Sequence, residues 1–301
     1  MNPTVETVGL SRRFGDVLAL KNLSLTIPRG QVTALVGPNG SGKSTLFKLL
    51  LGHLAPTSGE ARLWGREAFP VRAREPVDGT TSGMRVACLL DRYEPPIGTT
   101  VRAVLKLRRC ASVEFNWELA EQLCREQNIP LSRFWHRLSK GQRRWVLATA
   151  TLASRAELYL LDEPADGLDP TARRKLYGLI KQQALQNDAT VIVASHVLED
   201  LERCADYVTM LIDGELRMSA SLEQMRDEIR EVEFSADFDT DLLPAGTQIL
   251  ARRETGDTAI LWLWHHEQLS VDDCIPGEIL RRKVGLTALY FALTGADGAL
   301  S

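Results

Sequence analysis

A chain of 301 residues, 44% hydrophobic and 25% charged, has the balance of a globular protein with room for one large domain and a smaller one. Its formal net charge of -3 gives no basic field for nucleic acid, and no apolar run reaches the roughly 18 residues that a membrane span needs. Met1–Glu6 lacks the basic start and apolar core of a secretory signal, and five scattered cysteines without a C-x-x-C pair suit a reducing cytosol.

Residues 1–30 alternate apolar and polar side chains, as in Leu23-Ser24-Leu25-Thr26-Ile27, which predicts an antiparallel β layer. Val32–Val36 reads as a buried strand, and Leu46, Phe47, Leu49 and Leu50 as the apolar face of a helix. A further strand is expected near Ala61–Trp64, and a surface loop over 66–84, where Pro, Gly, Thr and Arg concentrate. Val86–Leu90 reads as a short strand and residues 99–153 as mostly helical. Leu158–Leu161 and Thr190–Ala194 read as buried strands around a helix over about Thr171–Gln186. Such alternation implies a parallel sheet covered on both faces. Charge shifts near residue 220: residues 221–301 hold 15 acidic and 7 basic side chains, against 24 acidic and 29 basic before them. With the strand-like Thr258–Trp264 and a closing helix carrying Leu286, Leu289 and Leu293, this tail reads as a small α+β appendage.

The chemistry starts at Gly37-Pro38-Asn39-Gly40-Ser41-Gly42-Lys43-Ser44, with Thr45 next, which fits G-x-x-x-x-G-K-[ST] at every defined position. Glycines let main-chain N–H groups wrap around phosphate. The helix start adds partial positive charge, up to about 2 kcal/mol in a partly buried site. Lys43 is placed for the terminal phosphates and the Ser44 hydroxyl for Mg²⁺. The same run read blandly is a glycine turn before an ordinary helix, but the strand ahead and the apolar helix behind give the context the motif needs.

Leu158–Leu161 ends in Asp162-Glu163. A carboxylate at a strand end can hold the Mg²⁺ shell, and the next one can orient or deprotonate water. Taken alone, this is equally a buried strand ending in a solvated acidic turn. It stands in order with Leu138-Ser139-Lys140-Gly141-Gln142, Asp169 and His196.

That whole order, over about residues 4–220, resembles the nucleotide-binding subunit of ABC transporters. Gly37–Ser44 looks like its Walker A loop, Leu158–Asp162 like Walker B, and Glu163 like its catalytic glutamate. Leu138–Gln142 resembles the LSGGQ signature, with Lys140 in place of the first glycine. Ala165-Asp166-Gly167-Leu168-Asp169 resembles the D-loop, and Ser195-His196 the switch histidine. Phe14 sits where the family places an aromatic ring against adenine. Leu286–Gly295 looks like the end of ATPase subunits of ABC-2 exporters.

The resemblance implies an α/β P-loop NTPase of ABC type, with an antiparallel β layer and a helical subdomain over about 92–155. The ATP-binding domain would be 1–220 and the accessory domain 221–301. It implies ATP and Mg²⁺ as cofactors and a head-to-tail dimer, either homodimeric or paralogous. In that dimer Ser139, Gly141 and Gln142 of one copy close over ATP held at Lys43 of the other. His196 would contact the γ-phosphate and help Glu163 hold the attacking water. The partner would be an integral-membrane permease docked on the segment between Asp91 and Ser139, with the subunit cytoplasmic and peripheral on the inner membrane face. Nucleic acid is not expected. A soluble ABC-type ATPase switch without a permease is the alternative, and a non-hydrolysing regulator a third reading.

Some positions depart from the family pattern. Asp91 falls at or beside the usual glutamine that senses Mg²⁺ and water; it keeps an oxygen ligand on a shorter arm, so a role in metal binding is expected. Lys140 adds a cation near the nucleotide held by the other copy, and Arg143-Arg144 continues that charge, or else forms a solvated helix face. Trp145 reads as core. His265-His266-Glu267 is not expected to bind metal, because adjacent histidines on a strand point to opposite faces. Trp262 and Trp264 read as packing or a subunit contact.

Overall fold

The computed structural model describes residues 3–68, 85–90, 93–243, 245–265 and 281–295. Asp91, His266, Glu267 and Cys274 lie outside them. The chain divides into two compact units, Met1–Ser219 and Ala220–Ser301.

In the first unit, β1 (Val5–Phe14) and β2 (Val17–Ile27) pair antiparallel, and β1 also pairs antiparallel with β4 (Ser58–Leu63). A two-residue strand, β5 (Arg66–Glu67), completes this sheet in the order β2-β1-β4-β5. The expected loop over 66–84 therefore begins as a strand, because Arg66 and Glu67 pair with Leu63 and Arg62. Trp64 lies beyond β4, in the turn that reverses the chain.

The second sheet contains β3 (Val32–Val36), β6 (Val86–Leu89), β7 (Leu158–Asp162), β8 (Thr190–Ala194), β9 (Tyr207–Ile212) and β10 (Glu215–Ser221). Its order is β10-β9-β3-β8-β7-β6. The pairs β9/β3, β3/β8, β8/β7 and β7/β6 are parallel. Every residue of β3, β7 and β8 is buried, which is why these strands read as continuous apolar runs rather than alternating ones.

Helix α1 (Lys43–Leu50) follows β3 directly and buries Leu46, Phe47, Leu49 and Leu50. Each such side chain contributes about 1.5–3 kcal/mol by leaving water. They share one core cluster with Leu10, Leu20 and Leu25 of the antiparallel sheet and with Leu35, Leu160 and Ile192 of the parallel one. That cluster fixes where α1 starts, and hence where the glycine loop lies.

Helices α2 (Val101–Cys110), α3 (Trp117–Glu126) and α4 (Lys140–Ala153) fill the segment between β6 and β7. Asn116 caps α3 by accepting from the Leu119 N–H. Helices α5 (Pro170–Asn187) and α6 (Leu198–Cys204) follow β7 and β8.

The second unit holds α7 (Leu222–Glu228), β11 (Ile229–Ser235), β12 (Thr247–Thr255), β13 (Thr258–His265), β14 (Arg281–Lys283) and α8 (Leu286–Thr294). Its sheet runs β12-β13-β11-β14 and is antiparallel throughout. Val232, Phe234, Leu261 and Leu263 make its core. Trp262, Trp264 and His265 are all buried, so both faces of β13 are covered. No helix among the described residues is long and apolar enough to cross a membrane.

Candidate functional site

Parallel register brings the functional segments together. Ala194 lies level with Leu35 on one side and Asp162 on the other, so the segments after β3, β7 and β8 leave the sheet at the same edge. Gly42 turns the first of these into α1 with φ of 102°, a left-handed geometry natural to glycine. A Cβ there would lie 2.6 Å from the Ala19 carbonyl oxygen, so no other residue fits. No side chain caps α1.

The cleft at this edge has a volume of about 370 Å³. Asn39, Gly40, Ser41, Gly42, Lys43, Ser44 and Thr45 line one wall, and Asp162, Glu163, Asp166 and His196 the other. Lys43 is buried, and its Nζ donates to the carbonyls of Gly37 at 2.7 Å and Pro38 at 3.0 Å. Burial pulls its pKa below the ordinary lysine value, and the charges of Glu163 and Asp162 oppose that pull.

The Ser44 hydroxyl donates to Asp162 Oδ2 at 2.7 Å, across 118 residues of sequence. Asp162 is itself buried. A hydroxyl and a carboxylate oxygen together are hard donors that suit Mg²⁺. Among the described residues no group of three or more His, Cys, Asp or Glu could hold a metal ion on its own. A two-oxygen site fits Mg²⁺ that shares its shell with phosphate and water.

Glu163 adopts a φ of 47°, left-handed for a residue with a side chain, at a cost of about 1–2 kcal/mol. Its N–H donates to the Ala194 carbonyl at 2.8 Å. Its carboxylate Oε2 stands 2.9 Å from His196 Nδ1. The histidine is 65% exposed and the glutamate 24%, so the pair sits at the mouth of the cleft with the carboxylate inside.

The other expected site residues are placed differently. Ser139 caps α4: its hydroxyl accepts from the Gln142 N–H at 3.1 Å, and Gln142 Oε1 accepts from the Ser139 N–H at 3.2 Å. Asp169 does not line the cleft. Its carboxylate caps α5, accepting from the N–H groups of Thr171 and Ala172 at 2.9 and 3.0 Å, as an aspartate before a helix-starting proline readily does. Asp166, three residues earlier, lines the cleft instead. Phe14 is 43% exposed at the end of β1, with the Arg12 guanidinium 4.6 Å from its ring centroid, and is not among the cleft's lining residues. Asp91 lies outside the described residues.

In the signature segment, Lys140 Nζ pairs with Asp166 Oδ2 at 2.7 Å. Arg144 is not on a solvated face: it is buried, with Nε on the Glu163 carbonyl at 2.8 Å, Nη1 on the Leu90 carbonyl at 3.3 Å, and Nη2 on the Asp162 carbonyl. The sequence carries a signal for this. Trp145–Ala153 is almost wholly apolar, so α4 is buried nearly all round, and a charge flanking that run must find buried partners.

Residues 20–166 match the family model described as ABC transporter. The chain is 34% identical over 224 residues to the zinc import ATP-binding protein ZnuC of Alkalilimnicola ehrlichii, covering 74% of this chain and 79% of that protein. It is 28% identical over 239 residues to the ABC transporter ATP-binding protein YtrB of Bacillus subtilis, covering 79% of each. Among solved structures, the ATP-binding subunit of an ABC transporter superposes with a TM-score of 0.62 at 26% identity, over 74% of this chain and 92% of that one.

Proposed function

The chain belongs to the ABC transporter ATP-binding family, a family of ATPases, and on that footing we propose that it drives export through a separate membrane permease by hydrolysing ATP in a cleft closed by a second copy or a paralogue. The observation that carries this reading is the convergence of Lys43, Ser44, Asp162, Glu163 and His196 on one cleft of about 370 Å³. Main-chain N–H groups of 39–45, apart from that of Ser41, which donates to the Pro38 carbonyl, and the Lys43 ammonium bind the triphosphate. Ser44 and Asp162 are the residues to hold Mg²⁺, which when bound neutralises phosphate charge. Glu163 takes a proton from water as its oxygen attacks the γ-phosphorus and the bond to the leaving ADP oxygen breaks. His196 orients the Glu163 carboxylate from 2.9 Å and stands where its ring can contact the γ-phosphate.

Closure by the other copy supplies Ser139, Gly141 and Gln142. The Ser139 oxygen already accepts from its own helix, so its O–H remains to donate to phosphate. Phe14 is read as the adenine platform and Asp91 as a further oxygen ligand. The helical segment 92–155 exposes Ile97, Leu107, Val113 and Phe134, apolar side chains suited to a membrane-protein partner. That partner would hold the subunit on the inner face of the membrane. The export direction rests on the similarity of Leu286–Gly295 to the ends of ABC-2 subunits.

Glu163→Gln tests the chemistry. Steady phosphate release should fall at least about 100-fold while ATP binding persists and an ATP-held dimer accumulates on gel filtration. Full turnover in that variant would overturn the assignment. Co-purification with a polytopic membrane protein, and the direction of transport in vesicles containing both, test the partner.

A further inference from the structure

The guanidinium of Arg144, on α4, bonds to the ends of two strands of the parallel sheet. It donates to the carbonyls of Glu163 and Asp162 after and at the end of β7, and to that of Leu90 just past β6. A planar fork with donors on three nitrogens can satisfy three carbonyls at once; a lysine ammonium on a flexible stem cannot reproduce that fan. The Glu163 residue is thus held at both main-chain ends: its N–H by the Ala194 carbonyl at 2.8 Å and its C=O by Arg144 Nε at 2.8 Å. Between those two anchors the backbone takes its left-handed φ of 47°. A side-chain-bearing residue keeps such a conformation only where its surroundings impose it.

We propose that Arg144 is a positioning residue for ATP hydrolysis: by gripping the Glu163 carbonyl from the signature helix, it fixes the backbone turn that aims the Glu163 carboxylate at His196 and into the phosphate cleft. Arg144 is not among the described residues that line that cleft, and its bonds to Asp162 and Glu163 given above are to their main-chain carbonyls. The inference rests on Glu163 being the base. It goes further in making the base's aim depend on a side chain of α4, the helix whose first turn closes over the opposite nucleotide.

Arg144→Gln, Arg144→Ala and Arg144→Lys test it in the full-length protein by steady-state phosphate release and equilibrium binding of a fluorescent ATP analogue. The expected result for Arg144→Gln is a kcat at least tenfold lower, with KM and analogue affinity within twofold of the parent. Arg144→Lys should keep the charge and recover only a minor part of that loss. Millimolar methylguanidine should raise the turnover of Arg144→Ala and leave the parent unchanged, a response that a purely structural defect would not show. Unchanged kcat in Arg144→Gln, or parallel loss of kcat and affinity in all three variants without methylguanidine rescue, would overturn the proposal. The two readings fail separately. An inactive Glu163→Gln beside a fully active Arg144→Gln removes only the positioning role, whereas an active Glu163→Gln removes the base.

Discussion

Two helices of the first unit begin at segments that resemble the family's phosphate-binding motifs, and they begin in opposite ways. Helix α1 starts at Gly42, which offers no side chain to cap it. Helix α4 starts in a closed capping box, Ser139 and Gln142 satisfying each other's main-chain N–H groups. The first turn of a helix leaves N–H groups unsatisfied within the helix. On the proposed reading the α1 donors are left for an anion; at α4 some are already used, and what remains is a hydroxyl proton. The cations differ in the same sense. Lys43 is buried in its own loop, while Lys140 is 74% exposed and paired with Asp166. On that proposed reading, one helix start binds phosphate by itself, and the other contributes only when a phosphate is brought to it.

If that contrast holds, substitutions at the two starts separate binding from turnover. Lys43→Ala should have the largest effect, weakening ATP binding at least about 100-fold by calorimetry, because a buried cation facing a triphosphate has no substitute. The same lysine sets a pH limit. Its charged form exists below its pKa, and burial lowers that pKa, so ATP affinity should begin to fall at a lower alkaline pH than an ordinary lysine would give.

Ser139→Ala should have an intermediate effect: binding by the monomer unchanged, turnover down roughly tenfold, and thermal unfolding showing the loss of about 1 kcal/mol of cap. Wild-type turnover in Ser139→Ala would mean that the signature start does no more than fold. Lys140→Ala should have the smallest. An exposed ion pair contributes about 0–1 kcal/mol, so stability should barely move. Asp166, no longer neutralised at the cleft wall, should weaken ATP binding about threefold at low salt, and 0.5 M salt or Asp166→Asn should erase the difference.

Much of this site is legible in the sequence because its chemistry lies in short contiguous runs at strand ends. Gly37–Ser44, Asp162-Glu163 and His196 each follow an apolar run that reads as a buried strand, and parallel register then sets them side by side. The residues that escape such a reading act at a distance or through competing local chemistry. Arg144 meets carbonyls 18, 19 and 54 residues away, and no local pattern encodes which ones. Asp169 occupies the expected motif position, yet Pro170 after it favours a helix cap, and the cap takes its carboxylate. Asp166 faces the cleft because Gly167, at φ of 76°, turns the chain there, a geometry that the residue names alone leave open. In the second unit the alternation of β12 is mixed, and its charged residues on an edge strand give a weaker pattern than the apolar run of β13.

A Cβ on Gly141 would stand 2.3 Å from the Gly167 carbonyl oxygen, so the signature segment and the loop after Asp166 touch main chain to main chain. Contacts between side chains have slack, because rotamers can turn to absorb a small displacement. Main chain packed on main chain has no rotamer to turn, so movement of one segment toward the other has to be passed on rather than absorbed.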